Sequence, residues 1–335
     1  MVWDAACSSQ VESPVLYVPS GYSFMVQSTI FTGPCQGGIV FQVNSELMPP
    51  DGPESWPKGL SRRQWLVFYQ VVGMSLLVIY GLIDRKGEKW RDLPCKPHKE
   101  GNGTTLPGPC DSPIVLHELQ LNSACAQKRN SPQFHFRFDN CRNVHIDSIF
   151  LSAPLGPNAD GIHIENTIGV KIYNSVISNG DDCVSIGSGC YNVYVWNITC
   201  GPSHGIRQVY ALRNGIMVRD SAIKSSDKGV RIKTWRGSGA VSRVTFDNIF
   251  MDNVRNPIII DQFYCLAKEC TNHTSAVLVS DVLYTNIKGT YDVHSSPMHF
   301  ACSDLVPCTN ITISDIELLP DRTLFVGMFM GIRRH

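Results

Sequence analysis

The chain has 335 residues and a formal net charge of zero, a balance that argues against a nucleic-acid-binding or polybasic membrane-surface protein. Only 17% of its residues are charged, and the abundance of Asn, Ser, Thr, Val and Ile suits stacked strands and turns better than amphipathic helices. The length would allow two domains, but elongated all-β folds often run this long as one unit, so residues 1–335 are taken as a single domain.

At the N-terminus, Met1-Val-Trp-Asp-Ala-Ala-Cys7 has neither an apolar signal core nor a small-residue cleavage site, so a signal region is expected to be absent. The thirteen cysteines and four sequons, at Asn102, Asn197, Asn272 and Asn310, nevertheless point to a secreted, extracellular protein. Cys95 and Cys110, Cys183 and Cys200, Cys265 and Cys270, and Cys302 and Cys308 lie close in sequence. None has the C-x-x-C spacing of a zinc site, which favours disulfides over metal. The odd count leaves one cysteine over, assigned to Cys125. Residues 64–83 carry no charge over about a membrane span's length. Their aromatic and β-branched content, with Gly73 in the middle, predicts instead two buried strands, 65–71 and 76–80, and no membrane association.

From residue 134 onward the chain repeats. Apolar-alternating segments start at 134, 161, 183, 205, 229 and 257, at intervals of 27, 22, 22, 24 and 28 residues. A second series, 144–150, 170–177, 193–199, 216–223 and 244–250, keeps similar spacing, with Asn, Asp, Ser and Gly between the two. The period is too short for a βαβ unit, which takes about 30 residues or more, and no helical periodicity intervenes. A near-constant return to the same strand predicts a parallel β-helix. A β-sandwich would not repeat equivalent positions in this way.

Strand alternation then sorts the side chains. Ile162, Ile164, Val184, Ile186, Val230 and Ile232 point inward, while His163, Ser185, Arg231 and Lys233 point outward. Asp160, Asp182 and His204 each adjoin the start of a rung, 22 residues apart and then 22 again. With successive coils about 4.8 Å apart, they stack on one face with Asp181 alongside, and Arg231 and Lys233 follow on the next coil. Any one of these aspartates would suit a turn. Carboxylates stacked on successive coils repel one another, and that calls for a bound cation or a catalytic use. Glycosidic cleavage needs one carboxylic acid to protonate the leaving oxygen and a carboxylate to activate water. Arg and Lys beside them suit an anionic sugar.

Four segments carry a resemblance. Asn158-Ala-Asp-Gly-Ile-His-Ile164, Gly180-Asp-Asp-Cys-Val-Ser-Ile-Gly187, Cys200-Gly-Pro-Ser-His-Gly-Ile206 and Gly229-Val-Arg-Ile-Lys-Thr-Trp235 resemble, in order and spacing, the signature blocks of glycoside hydrolase family 28. This is the polygalacturonase family, and its plant branch is the most similar. The resemblance implies a single-stranded right-handed parallel β-helix of the pectin lyase type that hydrolyses α-1,4-galacturonan with inversion. By motif position it implies Asp181 as general acid, Asp160 and Asp182 as the pair holding and activating water, and His204 as the residue tuning the acids. It also implies Asn158, Arg231 and Lys233 as substrate-binding residues, and a Cys183–Cys200 staple. The implied partner is pectin in the plant cell wall, acted on by a monomer without metal or organic cofactor.

Several positions depart from the family pattern. Ala159 stands where the family has threonine, Ser203 where it has glycine, and Lys228 where it carries asparagine. After Ile206 the family continues with a Ser-Ile-Gly-Ser-like strand; here Arg207-Gln-Val-Tyr-Ala-Leu-Arg-Asn-Gly215 follows. Segments 116–129 and 320–335 are also atypical. A damaged rung after His204 and a weakened C-terminal cap are the expected consequences. Two other functions fit parts of the pattern: a pectate or pectin lyase, and a wall-binding protein that no longer cuts.

Overall fold

The repeated apolar segments become strands, each paired in parallel with its counterpart on the coils before and after. The computed structural model describes residues 2–52, 54–57, 64–91, 98–99, 105–106, 114–117, 121–124, 127–129, 134–153, 159–208, 215–234, 239–264 and 276–321. Among these, one parallel sheet of ten strands runs from Thr29–Thr32 through Leu66–Tyr69, Ile114–His117 and Phe136–Asp139. It continues through Ile162–Glu165, Val184–Ile186, Ile206–Gln208, Lys228–Lys233 and Asn256–Asp261 to Met298–Ala301. A second parallel sheet of sixteen strands includes Ile168–Ser178, Tyr191–Cys200, Ile216–Lys224, Ala240–Val254 and Leu278–Asp292. The chain alternates between the two sheets, and that is a parallel β-helix.

Register follows the counted period closely. Ile162 pairs with Val184, Val184 with Ile206, Ile206 with Val230 and Val230 with Ile258. In the larger sheet Val144, Val170, Val193, Ile216 and Val244 line up in turn. The first of the counted repeats differs by one residue. Phe136, not His135, pairs with Ile162, because only that register sends Phe136 and Phe138 into the core beside Ile162 and Ile164, all fully buried. Burying each Val or Ile of these columns is worth roughly 1.5–3 kcal/mol, so the stacked aliphatic columns carry most of the fold's stability.

The turns explain the asparagines. Asn174, Asn197, Asn248 and Asn286 all hold φ between 50° and 52°, a left-handed conformation that Asn tolerates better than most residues. Their amides then donate along the stack: Asn174 to Asp147 at 3.0 Å, Asn197 to Asn174 at 2.7 Å, Asn248 to Asp220 at 2.6 Å and Asn286 to Asn248 at 3.0 Å. These bonds satisfy polar groups at the corners of the coils they join.

The uncharged run gives strands Leu66–Tyr69 and Met74–Val78, and no helix among the described residues is long and apolar enough to cross a membrane. A short helix, Val2–Cys7, lays Trp3 across the first coil, with ring centroids 4.9 Å from Phe31 and 6.0 Å from Phe68. Disulfides join Cys7 to Cys35, Cys183 to Cys200 and Cys302 to Cys308. Cys141 and Cys190 are buried, and burial pushes the Cys190 thiol up to about 12. Cys95, Cys110, Cys125, Cys265 and Cys270 lie outside the described residues, as does segment 322–335.

In the rung after His204 the expected damage does not reach residues 206–208, and 209–214 lie outside the described residues. Ile206–Gln208 is a regular strand, paired with Val184–Ile186 on one side and Lys228–Lys233 on the other. Alternating side chains keep the register even though their identities have changed: Ile206 and Gln208 face inward and Arg207 faces out.

Candidate active site

The site is built on the outer face of the ten-stranded sheet, where four consecutive coils contribute side chains. Asp160 sits just before Ile162–Glu165, and Asp181 and Asp182 just before Val184–Ile186. The coil-to-coil backbone bonds fix their relative height. Gly161 N–H donates to Asp182 O at 2.8 Å and His204 N–H to Asp181 O at 2.8 Å. The buried Asn179 amide holds both acid-bearing turns together, donating to Ala159 O at 2.5 Å and to Asp182 O at 2.8 Å. Behind it, the Cys183–Cys200 disulfide closes the loop between the acid pair and the His204 turn.

The three carboxyl groups have different surroundings. Asp181 is open, its side chain 21% exposed, and its Oδ1 lies 2.9 Å from His204 Nδ1 and accepts the Asp182 N–H at 2.9 Å. The hydrogen bond to Asp181 raises the pKa of His204 against the opposing effect of burial. Asp160 and Asp182 are almost wholly buried, at 3% and 2% exposed. Burial, with repulsion from Asp182 and then Asp181, pushes the Asp160 carboxyl well above the usual range; Arg207 opposes that shift. Crowded carboxyl groups of this kind divide into proton donor and base.

Cations meet the acids from the following coils. Arg231 Nη2 donates to Asp182 Oδ1 at 2.6 Å. Lys233, on the same outward face two residues on, lies with its Nζ 3.2 Å from the centroid of the Tyr264 ring. Burial, then repulsion from Arg231 and Arg207, lowers its pKa to about 7. Lys228 pairs with Asp227 at 2.8 Å rather than with the acid cluster. Ligand atoms of Asp181, Asp182 and His204 come within 4.8 Å of one another, close enough for one ion to span. Both Asp182 oxygens already face guanidinium groups, so the protein itself supplies the positive charge there.

The structure therefore gathers Asp160, Asp181, Asp182, His204, Arg231 and Lys233 on one face, as counting along the chain predicts. Asn158 lies outside the described residues. Two refinements come from side-chain direction. Counting places His204 over Asp182, yet its imidazole turns to Asp181. Arg207, marked in the sequence only as a departure, enters the cluster: Nε contacts Asp182 Oδ2, Nη2 lies 3.7 Å from Asp160 Oδ2, and Nη2 donates to Ser185 Oγ at 2.5 Å. The signal for it was present, since Arg207 stands 22 residues after the outward-facing Ser185.

Known proteins resemble the chain in sequence and in fold. Residues 7–323 match the family described as glycosyl hydrolases family 28. An Arabidopsis thaliana protein described as a probable polygalacturonase is 36% identical over 334 residues, covering 95% of this chain and 72% of that one. A polygalacturonase of Cryptomeria japonica is 36% identical, covering 94% of this chain and 62% of its own length. Among solved structures, a polygalacturonase from Erwinia carotovora superposes with a TM-score of 0.76 at 18% identity, covering 95% of this chain and 89% of that one. With a family match along nearly the whole chain and a relative 36% identical over 334 residues, the chain belongs to glycosyl hydrolase family 28.

Proposed function

We propose that this protein is a polygalacturonase that hydrolyses α-1,4-galacturonosyl linkages by single displacement with inversion. The observation that carries the reading is the contrast within the cluster. Asp181, held by His204, is open to the groove, while Asp160 and Asp182 lie buried behind it, with Arg231 and Lys233 on the next coil. Asp181 donates its proton to the glycosidic oxygen as the bond from that oxygen to the anomeric carbon breaks. A water held by Asp160 and Asp182 forms the new bond to carbon and gives up a proton to that pair. Arg231 and Lys233 bind galacturonate carboxylates, the arginine by a two-point fork and the lysine as a point charge. Asn158 joins the binding set by its motif position.

The substrate follows from the charge of the groove and from the relatives' names. Disulfides at Cys7–Cys35, Cys183–Cys200 and Cys302–Cys308 support an oxidising, extracellular setting; the plant relatives support the plant cell wall, and action as a monomer is part of the same proposal. The experiment is release of reducing ends from polygalacturonate by this chain and by Asp181→Asn. Hydrolysis is expected from the first and a loss of roughly 10²–10⁴-fold from the second. Equal rates would sink the assignment, and an unsaturated, UV-absorbing product would replace it with a lyase.

A further inference from the structure

Arg207 occupies an unexpected place. Register sets it in one outward column with His163, Ser185 and Arg231, but its guanidinium does not project into the groove. It reaches back along the stack, contacting Asp182 Oδ2 through Nε one coil away and standing 3.7 Å from Asp160 Oδ2, two coils away, through Nη2, which also donates to Ser185 Oγ at 2.5 Å. The group therefore lies between the two carboxylates. Its side chain is 16% exposed and lies against two carboxyl groups that are themselves 3% and 2% exposed. Asp182 is tied on both sides, its other oxygen taking Arg231 at 2.6 Å.

The inference rests on the polygalacturonase reading, in which the attacking water must sit between Asp160 and Asp182. Its oxygen bonds to the anomeric carbon, its proton passes to that pair, the glycosidic bond breaks, and the leaving oxygen takes the Asp181 proton. A guanidinium in that space excludes the water by volume. It also takes up the Asp182 oxygen that would share the water's proton, and holds its positive charge 3.7 Å from Asp160 Oδ2, a buried oxygen with no hydrogen-bond partner among the described residues. We propose that Arg207 is a resident plug of the water site, so that the groove grips galacturonan while turnover waits on the guanidinium swinging out. A galacturonate carboxylate entering the groove offers Arg207 another anion to fork against, so substrate itself favours the open position.

The test compares the full chain with Arg207→Ser, which matches Ser185 one coil earlier, and with Arg207→Lys, whose single ammonium cannot span both carboxylates. Removing this cation also disfavours ionised Asp160, so kcat is read on the plateau above the acid limb of the pH profile. Arg207→Ser is expected to raise kcat on polygalacturonate by about tenfold or more, Arg207→Lys by less, and Asp181→Asn added to either is expected to abolish the gain. Pentagalacturonate affinity, measured by calorimetry in the Asp181→Asn background, should persist in all variants. If both folded variants bind pentagalacturonate but turn over no faster than the parent, the plug is overturned, and the polygalacturonase reading stands on the hydrolysis that the parent shows and Asp181→Asn loses. If neither parent nor variants bind it, the polygalacturonase reading falls and takes the plug with it. Should Arg207→Ser fail to fold, Arg207→Lys, which keeps the charge, decides alone.

Discussion

His204 Nδ1 lies 2.9 Å from Asp181 Oδ1 and the two are joined across one coil of the helix, making one proton-sharing pair of two residues 23 apart in sequence. The pair holds a proton over a wider range than a lone carboxyl would, because the carboxylate raises the pKa of the imidazole above its reference value of 6.5. Replacing His204 with Ala should lower kcat by roughly 10²-fold and move the alkaline limb of kcat/KM to lower pH. An unmoved limb would mean that His204 takes no part in holding the proton. The stability effect has a definite sign. The folded pKa of His204 lies above its unfolded value, so the pair's contribution is complete below about 6.5 and fades as pH rises through the folded value. Chemical unfolding of parent and His204→Ala should therefore differ most at acid pH and converge as pH rises.

Asp160 has the opposite balance. Its folded pKa is raised by burial and by its two aspartate neighbours, so the folded state binds the proton more tightly than the unfolded chain. Stability is then lost as pH climbs from 3.8 through the folded value. Asp160→Asn removes that penalty and should raise the thermal midpoint at neutral pH by several degrees while abolishing hydrolysis. Differential scanning calorimetry at pH 4 and pH 7 checks both the gain and its growth with pH. A midpoint that falls at pH 7 would show that the ionised carboxylate, clasped by Arg207, is net stabilising.

Much of this arrangement can be read from the sequence, and the limits have a physical cause. Ile162, Val184, Ile206 and Val230 reveal the fold because side chains on a strand alternate and the coil length scarcely changes. The same counting stacks Asp160 under Asp182. Counting gives height on the solenoid but no side-chain torsions. It therefore stacks His204 over Asp182 without showing that the imidazole turns to Asp181, and it leaves Arg207 as an oddity when its register already places it beside the acids. The slip at Phe136 has a related origin: Phe134, Phe136 and Phe138 all alternate, and only packing against Ile162 and Ile164 selects the register. Asn179 does not stand out in the sequence, because a buried amide that clamps two turns looks there like any turn asparagine.

Lys233 gives the site a second pH dependence, this time in binding. Burial, with repulsion from Arg231 and Arg207, lowers its pKa to about 7, so its ammonium is lost within the physiological range. The KM for polygalacturonate should rise as pH increases through about 7, with kcat less affected. Lys233→Met should show a high KM that is flat across the same interval. Arg207→Ser removes one of the repelling cations and should move the rise to higher pH. The stability sign is again fixed: a lysine with a depressed folded pKa costs the fold its protonation, so stability from this group increases as pH rises from about 7 toward 10.5. A KM that does not change between pH 6 and pH 8 would remove Lys233 from the binding set.

Asn179 should prove as important as the acids it supports. Its amide donates to Ala159 O and Asp182 O, at 2.5 and 2.8 Å, from a fully buried position between two coils. Asn179→Ala leaves two buried carbonyls without these donors, a loss of about 2–4 kcal/mol. It also frees the turns that set Asp160 against Asp182. Small displacements of reacting groups cost rate steeply, so kcat should fall by about 10²-fold in whatever fraction stays folded. Asn179→Asp is the sharper variant, since it keeps the shape, cannot donate when ionised, and adds a fourth carboxylate to the cluster. It should be at least as unstable as the alanine variant at neutral pH and recover part of the difference at acid pH, where the new carboxyl regains an O–H. Urea unfolding of both variants at two pH values checks this, and an Asn179→Asp protein as stable as the parent at neutral pH would mean that the amide does not hold the acid-bearing turns in place.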